Sequence, residues 1–232
     1  AGADTLFAGD GAWTLNGGAD NDTLHLYIHA ASIVTSGVQT GTGGTGADRF
    51  GVHPNTRMAE QDRITDFNAA EGDLVQIADI TFNPSNGSPY GRYNGFSTIL
   101  RGSMDPSLFV LGAALPGTDL GSEVVQFWTV QSGGNTYLVG DLNRDLTFDA
   151  NDFVLRFDGL LSLSEANFVT GTFIARAGTP GVDAMNGTGG ADQLYGVGGN
   201  DTINGFDGND ALYGGLGDDL IDGGGNDDYI EG

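Results

Sequence analysis

The final 55 residues of the chain repeat with a period of nine. A new unit begins at Gly178 and at every ninth residue after it, and Gly232 opens a seventh unit. The eighth position of each full unit is always Met, Leu or Ile. The sixth position is always aspartate: Asp183, Asp192, Asp201, Asp210, Asp219 and Asp228. A period this strict restricts the segment to an architecture of stacked repeats.

The residue types within each unit predict a tight turn followed by a short strand. The glycines of each unit supply the positive φ angles that a tight turn needs. Alternation over the seventh, eighth and ninth positions directs the eighth side chain inward and its two neighbours outward.

These residues match the GGxGxDxUx pattern, and residues 178–232 resemble the RTX (repeats-in-toxin) family. The resemblance implies a parallel β-roll in which two units complete one coil and calcium fills the turns. It also implies type I secretion from a bacterium, with the protein extracellular or at the cell surface. We expect an all-β fold in which β-roll blocks flank a β-rich cap or insert.

Stacked coils place aspartates from alternate units about 5 Å apart, the spacing of neighbouring strands. Two carboxylates at that distance repel by about 3 kcal/mol at an effective dielectric constant of roughly 20. Each edge of the roll holds three such aspartates. We therefore expect the roll not to fold unless cations lie between them.

Calcium suits such a site better than other metals. The carboxylate and carbonyl oxygens are hard ligands, and calcium accepts about six to eight of them in loose geometry, unlike magnesium. Zinc prefers His or Cys, which residues 178–232 lack. The acids are 26 Asp and only five Glu, and Asp has the shorter reach that a tight turn requires.

The charge and composition of the chain exclude several other partners and structures. The net charge is −23, with eight basic residues, so no basic stripe is available to bind nucleic acid. The chain contains no apolar run of about 18 residues that would predict a membrane span. Cysteine is absent, so a metal is the expected substitute for disulfides in a secreted protein. Both ends lie inside repeat units, and we expect a longer parent protein.

A weaker copy of the repeat occupies residues 1–56. Trp13 stands where an aspartate is expected, Ile33 continues the apolar column, and a one-residue slip precedes the unit that ends at Phe50. We predict a degenerate roll with fewer ions. The aspartates in the sixth position are Asp4, Asp22 and Asp48.

His25 and His29 are four residues apart, a spacing that could hold zinc on a helix. They alternate with leucine and isoleucine, however, which favours the outward face of a strand.

Residues 57–177 are predicted to form a capping and β-rich segment. The sequence DRITDF at 62–67 and GDLVQI at 72–77 is similar to the stretch that follows the repeats in serralysin-type RTX proteins, where it caps the roll. A hairpin is predicted from 124–131 and 136–139, with its turn at 132–135.

Residues 141–152 have the oxygen-ligand spacing of an EF-hand loop. Leu146 replaces the usual glycine, Asp152 replaces the usual glutamate, and the residues that follow predict a strand. A polar hairpin turn and a dockerin loop are the alternatives, although dockerins carry two such loops. The candidate calcium ligands are Asp141, Asn143, Asp145, Asp149 and Asp152.

Sequence motifs give little support to catalysis. HExxH and GxSxG are both absent, and the paired carboxylates are explained by the repeat. We therefore predict a non-enzymatic, secreted calcium-binding module whose folding is driven by extracellular calcium. The alternative is a structural subunit of a surface layer, adhesin or filament that self-associates and is stiffened by calcium.

Overall fold

The structure is a computed structural model. It describes residues 2–9, 11–26, 37–53, 61–77, 97–117, 120, 124–169, 172–173 and 175–232. The chain forms two compact units. The first comprises Ala1–Phe96, Leu100–Gly117 and Val125–Thr172, and the second comprises Ser97–Ile99, Thr118–Val124 and Phe173–Gly232. Within the described residues no helix is long and apolar enough to span a membrane.

The first unit begins with a roll whose strands alternate between two parallel sheets. One sheet has the order β1 (Thr5–Phe7), β3 (Thr23–His25), β5 (Arg49–Val52) and β7 (Leu74–Ile77). The other sheet begins with β2 (Thr14–Ala19), β4 (Thr40–Thr45) and β6 (Asp62–Ile64).

The core of this roll is a column of apolar side chains from the first sheet. Leu24 is in register with Phe50, and Phe50 with Val75. All three side chains are fully buried. The sequence forms short strands here because one side chain in each strand can be buried inside the roll while its neighbours point outward.

The second sheet of this unit continues past β6 into a β-rich segment. β6 pairs in parallel with β11 (Phe153–Asp158), which is followed by the antiparallel strands β10 (Asn135–Asp141) and β9 (Val124–Ser132) and then by β8 (Ser97–Ser103). Two short 3-10 helices, Pro106–Leu108 and Glu165–Asn167, also belong to this unit.

The predicted hairpin is confirmed by β9 and β10. Its two central residues, Gly133 and Gly134, have φ angles of 58° and 80°, as a tight hairpin turn requires. Trp128, Val139 and Phe148 are buried in a core under this hairpin.

The second unit is a regular roll. One sheet has the order β12 (Ala175–Ala177), β14 (Gln193–Tyr195), β16 (Ala211–Tyr213) and β18 (Tyr229–Glu231). The other has the order β13 (Ala184–Asn186), β15 (Thr202–Asn204) and β17 (Leu220–Asp222). Parallel partners are 18 residues apart, as between Met185 and Ile203. The prediction of an all-β, parallel β-roll with two units per coil is confirmed.

Apolar side chains pack on both faces of the sheet that contains β14. Leu194, Ile203 and Leu212 are buried inside, as the eighth position predicts. The outward-facing Tyr195 is also buried, because Ile99 and Val124 cover it. Ile99 and Val124 belong to the same compact unit as Tyr195, although both are far from Tyr195 in the sequence.

The predicted one-residue slip in the first roll is wrong. Asp4 and Asp22 are 18 residues apart, whereas Asp22 and Asp48 are 26 residues apart and still lie in neighbouring coils. The chain therefore carries eight extra residues in that coil. Ile33, predicted to continue the apolar column, lies outside the described residues. Leu15 is instead in register with Gly41.

Strands β6 and β7 lie in the segment predicted to cap the roll. They add another coil to the first roll, in register with β4 and β5. The division into segments 1–56, 57–177 and 178–232 stays a prediction.

Candidate calcium sites

Each roll carries ladders of aspartates in which the backbone of one coil is hydrogen-bonded to the side chain of the next. The amide of Asp183 donates to Oδ1 of Asp201 at 2.9 Å, and the amide of Asp201 donates to Oδ1 of Asp219 at 2.8 Å. Asp192, Asp210 and Asp228 repeat this pattern on the other edge at 2.8 and 3.0 Å. The predicted stacking of the six aspartates on two edges is therefore present in the structure.

The first roll contains a ladder of the same kind. The amide of Asp4 donates to Oδ1 of Asp22 at 2.7 Å, and the amide of Asp22 donates to Oδ1 of Asp48 at 2.8 Å. A further rung follows from Asp48 to Asp73 at 2.9 Å. The predicted ligands Asp4, Asp22 and Asp48 thus lie on one edge, and Asp73 extends it.

In eight described turns a Cβ on the glycine five residues before the ladder aspartate would overlap Oδ2 of that aspartate, and the overlap is closest in six of them. A Cβ on Gly196, for example, would overlap Oδ2 of Asp201 and the carbonyl oxygen of Gly214 in the next coil. Only glycine leaves room for these oxygens to approach one another. We call these six the cradle turns: Gly17–Asp22, Gly43–Asp48, Gly196–Asp201, Gly205–Asp210, Gly214–Asp219 and Gly223–Asp228.

Most cradle turns leave that second oxygen without a partner. Oδ2 is buried and accepts no hydrogen bond in Asp22, Asp48, Asp201, Asp210 and Asp219. An ionised oxygen buried in this way is strongly unfavourable unless a donor or a cation meets it. The cradle turns therefore fit a bound cation.

Backbone angles distinguish the cradle turns of the second roll from the turns that come before them. Four consecutive units have a positive φ at their second position: Val197 (83°), Phe206 (73°), Gly215 (95°) and Gly224 (91°). Two of these residues are not glycine, and the left-handed conformation strains them. The backbone is held in this shape even where the side chain disfavours it.

The first two units of the second roll have a different turn. Thr188 donates to Oδ2 of Asp192 through both its amide, at 2.6 Å, and its hydroxyl, at 2.8 Å. Thr179 donates to Oδ2 of Asp183 in the same way. These two carboxylates have protein donors where the cradle turns have none.

The outermost aspartate on one edge is also paired with an arginine. Arg176 lies 3.1 Å from Oδ1 of Asp192 and donates to the carbonyl of Asn186 at 3.1 Å. The guanidinium and the carboxylate of Asp192 thus form an ion pair at this end of the ladder. The guanidinium supplies positive charge there.

A family model for the RTX calcium-binding nonapeptide repeat matches the chain in four copies, at residues 1–26, 178–210, 186–221 and 204–232. The chain carries RTX calcium-binding repeats. Their aspartates form the ladders described above, and calcium is the ion that repeats of this family bind, so the predicted cofactor is confirmed. The search of curated proteins finds no match.

Backbone oxygens lie beside the carboxylates in the repeats. Within the part of the chain that the structure describes, no group of three or more His, Cys, Asp or Glu side chains is arranged to hold a metal ion. In the cradle turns the oxygen next to Oδ2 of Asp201 is a backbone carbonyl, that of Gly214. Carbonyl oxygens are ordinary calcium ligands.

The first roll ends in two aspartates, Asp66 and Asp73, whose oxygens accept backbone hydrogen bonds. Asp73 accepts from the amides of Asp48 and Asn68, at 2.9 and 2.8 Å. Asp66 accepts from the amides of Gly43 and Gly44, at 2.9 and 2.8 Å. Asp66 and Asp73 belong to the sequence motif that predicted a cap, but they were not predicted as part of the ladder.

Burial raises the pKa values of the innermost carboxylates of this ladder. The effect holds for Asp48 and for Asp73, and backbone hydrogen bonds oppose it in both. The neighbouring Asp22 and Asp66 raise the pKa of Asp48 further by charge repulsion. Burial first, and then repulsion between neighbouring carboxylates, therefore opposes ionisation of Asp48 and Asp73.

The EF-hand-like loop lies between β10 and β11, outside the RTX match. Asp141 accepts from three successive backbone amides, those of Arg144, Asp145 and Leu146, at 2.7, 3.2 and 3.0 Å. Leu146 has a φ of 55°, the conformation that favours glycine at this position of an EF-hand loop. The predicted strand after the loop is β11.

The side chains of this loop converge around Asn143. Its amide donates to Oδ2 of Asp145 at 2.9 Å and to Oδ2 of Asp149 at 3.4 Å. Asp152 is fully buried, and its Oδ2 accepts from the amide of Asp149 at 2.8 Å. Its Oδ1 is buried without a partner.

Asp152 is the most perturbed carboxyl group of the loop. Burial raises its pKa to about 7, and the charges of Asp141, Asp149 and Asp145 contribute to the rise. Burial also raises the pKa of Asp141. The cradle turns and this loop therefore show the same deficit, a buried carboxylate oxygen that accepts no hydrogen bond.

The histidine pair predicted to face outward from a strand is described only in part. His25 lies at the end of β3 and stacks on Phe7, with ring centroids 4.5 Å apart. The adjacent Leu24 and Leu26 are fully buried. His29 lies outside the described residues.

Proposed function

We propose that this chain is a secreted module that folds when it meets extracellular calcium. The observation that supports the proposal best is the set of five buried, unpartnered Oδ2 atoms in the cradle turns. Each is a carboxylate oxygen that is buried away from water. Cations supply the missing charge, and their binding free energy becomes folding free energy.

Calcium concentration then decides whether the cradle turns are folded. Cytosolic calcium is too scarce to occupy extracellular-type sites, whose dissociation constants are about 10⁻⁴–10⁻³ M. The repeats that carry the cradle turns would stay unfolded inside the cell, in a form that a secretion channel can pass. Outside, calcium binds only the folded roll and shifts the equilibrium towards it.

We also propose that the loop at residues 141–152 binds a calcium ion of its own. Asp152 supports this, since a fully buried carboxylate with a free oxygen closes the loop. Asp141, Asn143, Asp145 and Asp149 would supply the other side-chain oxygens. In the repeats the proposed ligands are Asp183, Asp192, Asp201, Asp210, Asp219 and Asp228, with Asp4, Asp22 and Asp48 in the first roll.

Circular dichroism during a calcium titration of the chelated full chain tests the proposal. We expect the β-sheet signal to appear cooperatively with calcium but not with magnesium at the same concentrations. A full β-sheet signal in chelator would refute calcium-driven folding. Light scattering on the same samples shows whether calcium also drives assembly, as a filament or surface-layer subunit would require.

A further inference from the structure

The first roll has a rung in which glutamine stands in the aspartate position. On the edge opposite the Asp4 ladder, the amide of Trp13 donates to Oε1 of Gln39 at 3.1 Å. The amide of Gln39 in turn donates to Oδ1 of Asp62 at 2.9 Å. Oε1 of Gln39 thus makes the bond that Oδ1 of an aspartate makes elsewhere.

The second polar atom of this side chain distinguishes it from the ladder aspartates. Nε2 of Gln39 donates to the carbonyl oxygen of Gly11 at 2.6 Å and to that of Gly37 at 3.0 Å. Each glycine precedes its rung residue by two positions, so the two carbonyls belong to stacked turns. Gln39 is fully buried. In the cradle turns the corresponding atom is an oxygen without a partner.

The Gln39 amide therefore makes contacts of the kind a cation would make. It presents positive partial charge to carbonyl oxygens of two successive turns and holds them together. Trp13 and Gln39 place no carboxylate in the two turns that they belong to, and the carboxylate of this edge is that of Asp62 in the next coil. A cation there would meet the N–H donors of Gln39 where the cradle turns have a carboxylate oxygen, and those donors would repel it.

We propose that the turns around Trp13 and Gln39 are closed by the Gln39 amide and bind no calcium. The first roll would then have one edge that is stable without calcium beside one that needs it. This inference rests on the proposed function, because it presumes that the cradle turns on the opposite edge bind calcium.

Hydrogen exchange of the wild-type chain in chelator tests this difference without any substitution. The amides of Trp13 and Asp22 are donors to rung side chains on opposite edges of one roll. We expect the Trp13 amide to exchange about ten-fold or more slowly than that of Asp22 in chelator. Addition of calcium should slow hydrogen exchange of the Asp22 amide much more than that of the Trp13 amide. Equal exchange of the two amides in chelator would overturn the inference.

The substitution Gln39→Asp tests the same inference by creating the calcium site that the wild-type turn is proposed to lack. It places a carboxylate where the ladders have one and removes both donors to glycine carbonyls. Native mass spectrometry of the calcium-loaded full chain should then count one more ion than in wild type. The matched control is Asn16→Asp, which adds a carboxylate on the exposed side of β2 and should leave the count unchanged.

A further variant separates failure of this inference from failure of the proposed function. Asp201→Asn should reduce the ion count by one if the cradle turns bind calcium. If it does so while Gln39→Asp leaves the count unchanged, the inference is wrong and the proposed function stands. If Asp201→Asn also leaves the count unchanged, the proposed function is wrong. Should Gln39→Asp fail to fold, the exchange rates of the wild type still decide.

Discussion

The backbone amide of Asp201 donates to Oδ1 of Asp219, eighteen residues later in the next coil, at 2.8 Å. The other oxygen of Asp219, Oδ2, is buried and accepts no hydrogen bond. A ladder aspartate therefore has two separable roles. One oxygen fixes the spacing of the coils, and the other is left for a cation.

Asp201→Asn separates these roles, because asparagine keeps an oxygen that accepts from the amide of Asp183 but loses the charge. We expect the calcium midpoint for folding to rise about two- to five-fold. The reason is that the loss of a charged contact of roughly 1–3 kcal/mol is shared among several cooperatively bound ions. Circular dichroism at increasing calcium measures the midpoint.

The matched control for this prediction is Asp207→Asn. Asp207 is exposed and stands at the third position of its unit, outside the ladder. The Asp207→Asn substitution removes the same charge as Asp201→Asn. It therefore corrects for the general loss of charge repulsion in a chain of net charge −23. If both variants shift the midpoint equally, the sixth position has no special role.

Gly196→Ala tests the cradle itself. The added Cβ would overlap Oδ2 of Asp201 and the carbonyl oxygen of Gly214. We expect a loss of stability of about 1–3 kcal/mol from overpacking, with a higher calcium midpoint. Gly189→Ala is the control, since a Cβ there has nothing within 4 Å and neither glycine has a positive φ. Similar behaviour of the two variants would show that the cradle is not a confined space.

Phe206→Gly should stabilise the calcium-loaded roll. Phe206 is 45% exposed and has a φ of 73°, at a position where Gly215 and Gly224 stand in the next two units. Release of a non-glycine residue from the left-handed region is worth about 1–2 kcal/mol. Thermal unfolding in saturating calcium measures the gain.

Val182→Gly is the comparison for that gain. Val182 is 78% exposed in the same roll and has no positive φ, so glycine there should only add disorder to the unfolded state. The melting temperature of the Val182→Gly variant should be lower than that of wild type, and the melting temperature of the Phe206→Gly variant should be higher. A lower melting temperature for both would show that the side chain of Phe206 stabilises the turn.

The regular part of the fold could be predicted from the sequence because its information is local. The nine-residue period fixes which side chain faces inward, as Leu194 and Leu212 do, and a coil of two units follows from it. The aspartate ladder of the repeats was predictable for the same reason, since Asp201 and Gly196 recur at constant spacing. No distant contact was needed.

The rest depends on contacts that a period cannot reveal. Eight additional residues between Asp22 and Asp48 break the period, which concealed Gln39 as a rung. The burial of Tyr195 depends on Ile99, nearly a hundred residues earlier in the chain. The hydroxyl of Thr188 was not predicted to bond to its own unit's aspartate, although its place at the second position of the repeat was a usable signal.

The last prediction concerns pH and the loop at residues 141–152. In calcium-free protein the pKa of Asp152 is raised to about 7 from its ordinary value, chiefly by burial. Between those two values the folded state holds a proton that the unfolded state has released. The stability of the loop in chelator therefore falls as pH rises from about 4 to about 7.

Calcium reverses this dependence, since it binds the ionised carboxylate and must displace the proton. Calcium binding to the loop should release a proton at pH 6.5 and weaken as pH falls further. Isothermal titration calorimetry in two buffers of different ionisation enthalpy measures the released protons. Asp152→Asn should remove that release, whereas Asp207→Asn should preserve it. An unchanged release in Asp152→Asn would mean that another group loses the proton, because asparagine has none to give.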